Sequence, residues 1–466
     1  MSLAFNEFGQ PILILQNQQE KVRQKGPEAY KANILAASAV AKLLRTSLGP
    51  KGMDKLVVSP DGDVLITNDG ATIMEKIELN HQTAKLLVEL SKSQDNEIGD
   101  GTTGVVVIAG ALLDQAQLLI EKGLHPLKIT SGFEKSCEIA MKTIDKNSID
   151  IDIQKNENEA LVQCAMTALG SKIVSKFQNQ LAKIAVKAIL SVADLERRDV
   201  IFDLIKISTK TGGSLEDTKF VDGIVLDKEF SHSQMRKEVN DAKICLLTCP
   251  FEPPKPKTKH NLEIKSSEDY AKLYKIEQTY FTDMIKKIKD SKANLVLCQW
   301  GFDDEANHLL MQNHLPSVRW VGGVEVEQIA LATGARIIPR FSEIDESKLG
   351  KAKLVKEETL GTTNDKIIVI EGCEKAKSVT IMIRGGSKAI VDEAQRSMHD
   401  AICVVRNMIV DPRVVTGGGS IELSCALEIA NAAKTENSLE QYAMKGFADA
   451  LEQIPYALAE IVATIQ

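Results

Sequence analysis

The chain has 466 residues, a formal net charge of −7, 44% hydrophobic residues and only 4% aromatic ones. That length exceeds one compact core and implies two or three domains, while the low aromatic content suits helix-rich cores of Ala, Ile, Leu and Val. The modest negative charge argues against wholesale nucleic-acid binding, and the apolar runs meet a Gly, Lys or Asp before membrane-spanning length, so no transmembrane helix is expected.

In chain order, the segment Met1 to Gln10 has neither a basic region nor an apolar stretch of the secretory kind. Residues 28–47 predict a helix, with Pro27 in its first turn and Ile34, Leu35, Val40, Leu43 and Leu44 at helical spacing. Gly49-Pro50 ends it. A hairpin follows: Leu56-Val57-Val58, a turn at Ser59-Pro60-Asp61-Gly62, then Val64-Leu65-Ile66. Helices are predicted near 71–78, 81–93 and 102–122. The middle third alternates strand-like runs at Lys243–Thr248, Asn294–Cys298 and Ala335–Pro339 with helical stretches near 268–290, 303–313 and 325–333, the pattern of an α/β domain. Within it, residues 253–260 form a proline-basic run, and 255–292 carry ten lysines against six acidic residues. A solvated protrusion is the preferred reading over a nucleic-acid patch. After Val379–Arg384 long helices return, near 387–409, 420–433 and 439–459. Helical character at both ends around an α/β block fits a discontinuous domain with an insertion. The eight cysteines lie scattered among apolar residues, which reads as reduced, buried thiols. Cys245 and Cys249 form the closest pair, but no second pair or nearby His completes a zinc site.

Five segments carry the chemistry. The strongest is Gly99-Asp100-Gly101-Thr102-Thr103-Gly104, which opens the apolar helix beginning Val105-Val106-Val107. Unpaired amides at a helix N-terminus bind anions, and glycine lets the backbone approach phosphate. Asp100 would repel phosphate without a cation between them, so it implies Mg²⁺; its plainer alternative is an N-cap. The second segment, Thr46-Ser47-Leu48-Gly49-Pro50-Lys51-Gly52, lacks P-loop spacing and alone reads as a helix stop. The third, Thr67-Asn68-Asp69-Gly70-Ala71-Thr72-Ile73, is turn chemistry in which Asp69 could simply cap the next helix. The fourth is His399-Asp400 inside an apolar helix, where a carboxylate needs a partner or a solvated cleft. The fifth is Gly417-Gly418-Gly419, otherwise a flexible turn. No nucleophile elbow or Ser-His-Asp arrangement is present.

Together these segments resemble the group II chaperonins, the family of the eukaryotic cytosolic T-complex ring. The runs are TSLGPKGMDK at 46–55, TNDGATI at 67–73, GDGTTG at 99–104, IRGG at 383–386, HDA at 399–401 and VVTGGGSIE at 414–422, in matching order and spacing. Further runs, LAFNEFGQP at 3–11, CPFEPPKPKTKH at 249–260 and CQWGFDDEANHLL at 298–310, are similar to one of that family's paralogous subunit types.

The resemblance implies an α+β multidomain fold in three parts. A helical equatorial ATP-binding domain would comprise 1–155 and 412–466. A small α/β intermediate hinge domain would comprise 156–225 and 379–411. An α/β apical, substrate-binding domain would span 226–378, with a helical lid protrusion at about 253–285. It further implies a cytoplasmic, ATP-hydrolysing chaperone subunit in a double ring of paralogous subunits. The clients would be unfolded proteins, cytoskeletal ones among them, with no nucleic acid and no membrane involved. Residue by residue, Asp100 would hold Mg²⁺, and Gly101, Thr102, Thr103 and Gly104 would cradle the phosphates. Asp69 and Asp400 would orient the attacking water beside Gly70. Leu48, Gly49 and Pro50 would lie against the nucleotide, with Gly418 and Gly419 on its ribose side. Lys172 would sense the γ-phosphate. Members of the family continue past the position of Glu460 into further equatorial helices, so the resemblance marks this chain as C-terminally truncated. A non-hydrolysing structural or interaction subunit is the competing expectation.

Overall fold

The computed structural model describes the chain apart from residues 1, 6–10, 15–24, 59–61, 63, 78, 80, 152–157, 171, 253–257, 259–262, 265, 362–364, 374–377 and 466. The expected hairpin turn at 59–61 and most of the proline-basic run therefore lie outside the described residues.

The first section is helical. A two-stranded ribbon, β1 (Ser2–Phe5) with β2 (Pro11–Ile14), precedes α1 (Pro27–Arg45), which has proline in its first turn as expected. The hairpin β3 (Lys55–Val58) and β4 (Val64–Thr67) leads into α2 (Gly70–Lys76), α3 (Gln82–Glu97) and α4 (Thr102–Glu121). Contrary to expectation, α4 is long and apolar enough to cross a membrane by length and composition. Its glycines do not break it. At Gly110 a Cβ would lie 2.2 Å from the Cβ of Ala41, so this glycine brings α1 and α4 into close contact, and α4 reads as a helix of a packed core. Leu44, Ile73, Met74 and Val106 fill that core. The helix α5 (Pro126–Asn147) was not anticipated from the sequence.

The chain then leaves this section and later returns to it at one place. Strand β5 (Ile149–Asp150) pairs antiparallel with a strand far along the chain, Arg413–Val414, and Ile151 donates its N–H to the Pro412 carbonyl at 2.9 Å. Between the two crossings come α6 (Glu159–Leu169) and α7 (Gln178–Val192), also unanticipated, then β6 (Ile205–Thr211) and β7 (Lys219–Val221). A six-stranded sheet follows. It is built from β8 (Gly223–Leu226), β9 (Glu238–Leu247), β10 (Leu295–Cys298), β11 (Ser317–Val318), β12 (Gly350–Thr359) and β13 (Lys366–Cys373), in the order β11-β10-β9-β12-β13-β8. Parallel pairing of β9, β10 and β11 meets antiparallel pairing across β9, β12, β13 and β8. Helices α8 (Ser267–Asp290), α9 (Asp304–Gln312) and α10 (Gly323–Thr333) pack on it, with Phe281, Leu310 and Ile329 in the core. The strand expected at Ala335–Pro339 is only a single bridge, Leu247 to Ile338. Pro339 follows directly and has no N–H to extend a ladder.

Strand β14 (Val379–Gly385) returns to pair parallel with β6 and antiparallel with β7. The 23-residue α11 (Lys388–Val410) then packs with α6 and α7 in a second core containing Leu161, Ile189, Met398 and Val405. After β15 (Arg413–Val414) come α12 (Ser420–Thr435), α13 (Glu440–Leu451) and α14 (Gln453–Ile465). The single helix expected at 439–459 is thus two. Pro455 lies in the first turn of α14, where its missing N–H costs nothing. All eight cysteines are free thiols, and Cys137 is exposed rather than buried.

Candidate functional site

The start of α4 is the centre of the site. Its N-cap is Gly101, at φ +76 in the left-handed region, and no side chain caps the helix. Asp100 is therefore not the N-cap; among the described residues its exposed carboxylate accepts only the neighbouring Gly101 N–H, at 2.6 Å. The helix thus presents its first amides without a side-chain acceptor, and a carboxylate stands beside them at the surface. That donor set fits a phosphate with a cation between it and Asp100. Among the described residues no group of three or more His, Cys, Asp or Glu side chains could hold a metal alone. A magnesium ion here would rely on phosphate oxygens and water for most of its ligands.

Asp69 faces this helix start from the end of the hairpin. It caps α2, accepting from Ala71 N at 3.3 Å, Thr72 N at 3.0 Å and Thr72 Oγ1 at 2.6 Å. It also accepts from Thr102 Oγ1 at 3.2 Å, which ties α2 to α4. The capping alternative is therefore correct for Asp69, but it does not exhaust the residue's role. Beside it, Gly70 is required by contact: a Cβ there would sit 2.6 Å from Thr103 Oγ1 and 2.8 Å from Thr103 N.

The opposite wall comes from the section beyond the crossing strands. Lys172 forms an ion pair and hydrogen bond with Asp400 on α11, the two side chains being 9% and 13% exposed. This supplies the partner that a carboxylate inside an apolar helix demanded. Burial pushes the Lys172 ammonium below its usual range, against the pull of Asp69, Asp100 and Glu393. The loop that carries Asp100 packs on the same helix: a Cβ on Gly99 would lie 2.4 Å from Cys403 Sγ, one turn beyond Asp400 on α11, and Asn407 Nδ2 donates to the Ile98 carbonyl at 2.9 Å.

The glycine turns lie to one side. Gly49 has φ +83, and a Cβ would meet Leu458 Cδ2 at 2.3 Å. Gly419 has φ +81 and would meet Pro455 Cβ at 3.1 Å. Leu458 and Pro455 are one turn apart on α14, so that helix seats both turns. Asn68 Nδ2 donates to the Gly52 carbonyl at 3.2 Å and joins the Leu48-Gly49-Pro50 turn to the hairpin end. Gly418 and Gly104 border open space, with nothing within 4 Å of a built Cβ. No hydrogen bond among the described residues brings Gly418 or Gly419 to the start of α4.

Two residues were missed. Asp95 has its carboxyl raised by burial and then by Asp69, with His399 and Lys172 opposing. The sequence placed the end of that helix at 93, whereas α3 runs to Glu97 and carries Asp95 into the site. Glu393, two turns before Asp400 on α11, is 1% exposed and held at 2.7 Å by Arg396, one turn before Asp400. An acid at i−7 from Asp400 was the available signal.

Comparison with known proteins identifies the family. The model of the TCP-1/cpn60 chaperonin family matches residues 40–463. T-complex protein 1 subunit epsilon of Encephalitozoon cuniculi is 50% identical over 460 residues, covering 98% of this chain and 85% of that protein. Thermosome subunit alpha of Aeropyrum pernix is 41% identical, covering 97% of this chain and 81% of that protein. A thermosome subunit of Methanopyrus kandleri is also 41% identical, covering 97% and 82%. The subunit type suggested by the runs at 3–11, 249–260 and 298–310 thus corresponds to epsilon. The mixed helix and sheet content matches the α+β multidomain architecture expected of group II chaperonins. On these grounds the chain belongs to the TCP-1/cpn60 chaperonin family.

Proposed function

We propose that this chain is an ATP-hydrolysing subunit of a cytoplasmic double-ring chaperonin, working beside paralogous subunits on unfolded clients that include cytoskeletal proteins. One observation carries the reading: the uncapped start of α4 is tied to Asp69, and the loop before it packs at Gly99 on Cys403, one turn from the Asp400 that holds buried Lys172. In this reading 1–155 with 412–466 is the equatorial domain, 156–225 with 379–411 the hinge and 226–378 the apical domain, its lid at about 253–285. Support comes from the separate cores and from the paired crossing strands β5 and β15. The outer face of α10, with Val324 and Leu331 exposed and Glu327 between them, would meet client inside the cavity.

Bound ATP with Mg²⁺ would supply a γ-phosphate open to displacement by water. The chain's part is positioning and electrostatics. Thr102, Thr103 and Gly104 would donate their amides to phosphate oxygens, and Asp100 would hold the cation. Leu48, Gly49, Pro50 and Gly70 would line the nucleotide, with Gly418 and Gly419 toward the ribose. Lys172 would leave Asp400 for the γ-phosphate, freeing that carboxylate to take a proton from water. Asp69, fixed by four donors, would orient the same water without leaving its cap.

A second reading, a non-hydrolysing structural subunit, is favoured by the same contacts, because both carboxylates are already engaged. Phosphate release from the assembled ring, with only this subunit varied, separates the two. Asp400→Asn keeps the shape and should slow this subunit's turnover about 10²–10⁴-fold while nucleotide still binds. Equal turnover by the wild-type and variant rings would favour the structural subunit.

A further inference from the structure

The helix α10 is tied not only to its own sheet but to the neighbouring section through a short polar seam. Val326, Ile329 and Ala332 face the sheet core. On another face, Glu325 reaches Lys206 of β6, Nζ to Oε1 at 2.8 Å, with the two side chains 20% and 21% exposed. Lys206 donates as well to the Val225 carbonyl at 3.0 Å. The second oxygen of Glu325 accepts the Gly322 N–H at 3.1 Å, so one carboxylate both caps α10 and holds it to β6. One turn on, Gln328 Nε2 donates to the Asp203 carbonyl at 3.3 Å, while its Oε1 is buried without a hydrogen-bond partner among the described residues. Ile205 and Leu204, beside these anchors, belong to the core that also contains Met398 and Ala401 of α11. The seam adds to a second junction, where Val221 and Met382 pack with Val225, Ile367 and Val369 and Thr380 is hydrogen-bonded to Gly223 and Val225.

We propose that Lys206 and Glu325 are positioning residues that latch α10 to the section carrying Lys172 and Asp400, so that the orientation of the client-facing helix follows the state of the nucleotide site. This rests on the reading of α10 given above. The seam's polar contacts pull in opposite directions. A charge-assisted hydrogen bond shielded from water holds it shut. The buried, unpartnered Gln328 oxygen regains a hydrogen bond when water enters, so it favours parting. An interface balanced in this way is a bistable element that a rotation at the crossing strands can tip.

Hydrogen exchange on the full chain tests the latch. Lys206→Met removes the cation and keeps the aliphatic stem. Glu325→Gln keeps an oxygen for the Gly322 cap and removes the charge. Each should raise amide exchange across Gly323–Thr333 about fivefold. The double variant should match Lys206→Met, because that substitution already removes the shared contact. If either single variant lowers the thermal midpoint broadly, the comparison of Glu325→Gln with the double variant decides. Unchanged exchange in Glu325→Gln, or single effects that add in the double variant, would overturn the latch. Crosslinking of bound client to Val324 and Leu331 is read separately. Its absence would remove the client-facing role of α10 while leaving the exchange result standing.

Discussion

Gly70→Ala perturbs the site without touching any charge. Gly70 is the first residue of α2, and alanine within a helix is ordinarily favoured over glycine by about 0.5–1 kcal/mol. Here the added Cβ would lie 2.8 Å from Thr103 N and 3.0 Å from Thr103 Cα, both backbone atoms that no side-chain rotation can clear. Carbon contacts settle near 3.5 Å, so the starts of α2 and α4 must part by roughly 0.7 Å. Overpacking of this kind costs about 1–3 kcal/mol, only partly offset by the helix preference, so the thermal midpoint should fall modestly while the chain stays folded. The geometric effect is larger. A misplacement near 1 Å can cost on the order of 100-fold in rate. We expect single-turnover hydrolysis to fall about 10–100-fold, with nucleotide affinity reduced less. The assay pairs a nucleotide titration with phosphate release under excess enzyme. A folded Gly70→Ala chain that hydrolyses at the wild-type rate would refute the argument that Asp69 and the start of α4 act as one unit.

Asp100→Ala should abolish the Mg²⁺ dependence of nucleotide binding, measured by titration with and without the metal; affinity unchanged in its presence would remove Asp100 as the cation's ligand. Glu440 supplies a pH prediction. Its carboxylate accepts from Lys135, Lys128 and Ser131, and these contacts lower it from its ordinary value of 4.5 to about 2. The unfolded chain therefore takes up this proton first, so the contribution is complete above pH 4.5 and is lost as pH falls toward 2. The gap in urea midpoint between wild type and Glu440→Gln should narrow across that window; a constant gap would mean that the charge is not what holds α13 to α5.

Much of the site was legible because its motifs are also local structure signals. Glycines at left-handed turns, an Asx cap and an uncapped helix start each leave a mark in a handful of adjacent residues. Residues 99–104 and 67–73 could be read in this way, and Asp69 and Thr102 do meet. Lys172 was different. Nothing near Leu169-Gly170-Ser171-Lys172 announces burial, and its partner Asp400 is 228 residues away, so only the resemblance pointed to it. The three helices α5, α6 and α7 were overlooked in a stretch where Lys, Glu and Asn obscure the apolar spacing. Leu161, Ala165 and Leu169 become a visible stripe only once their core is known. Asp95 was missed through a helix end misplaced by four residues, an ordinary boundary error with a large consequence for the site.

The most direct measurement is a map of the assembled, full chain with Mg²⁺ and a non-hydrolysable ATP analogue. The account predicts phosphate density on the amides of Thr102, Thr103 and Gly104. It further predicts the cation between that density and Asp100, with Lys172 drawn from Asp400 toward the terminal phosphate. Nucleotide bound elsewhere, or phosphates at the start of α4 with Asp100 turned away and no cation between them, would contradict it.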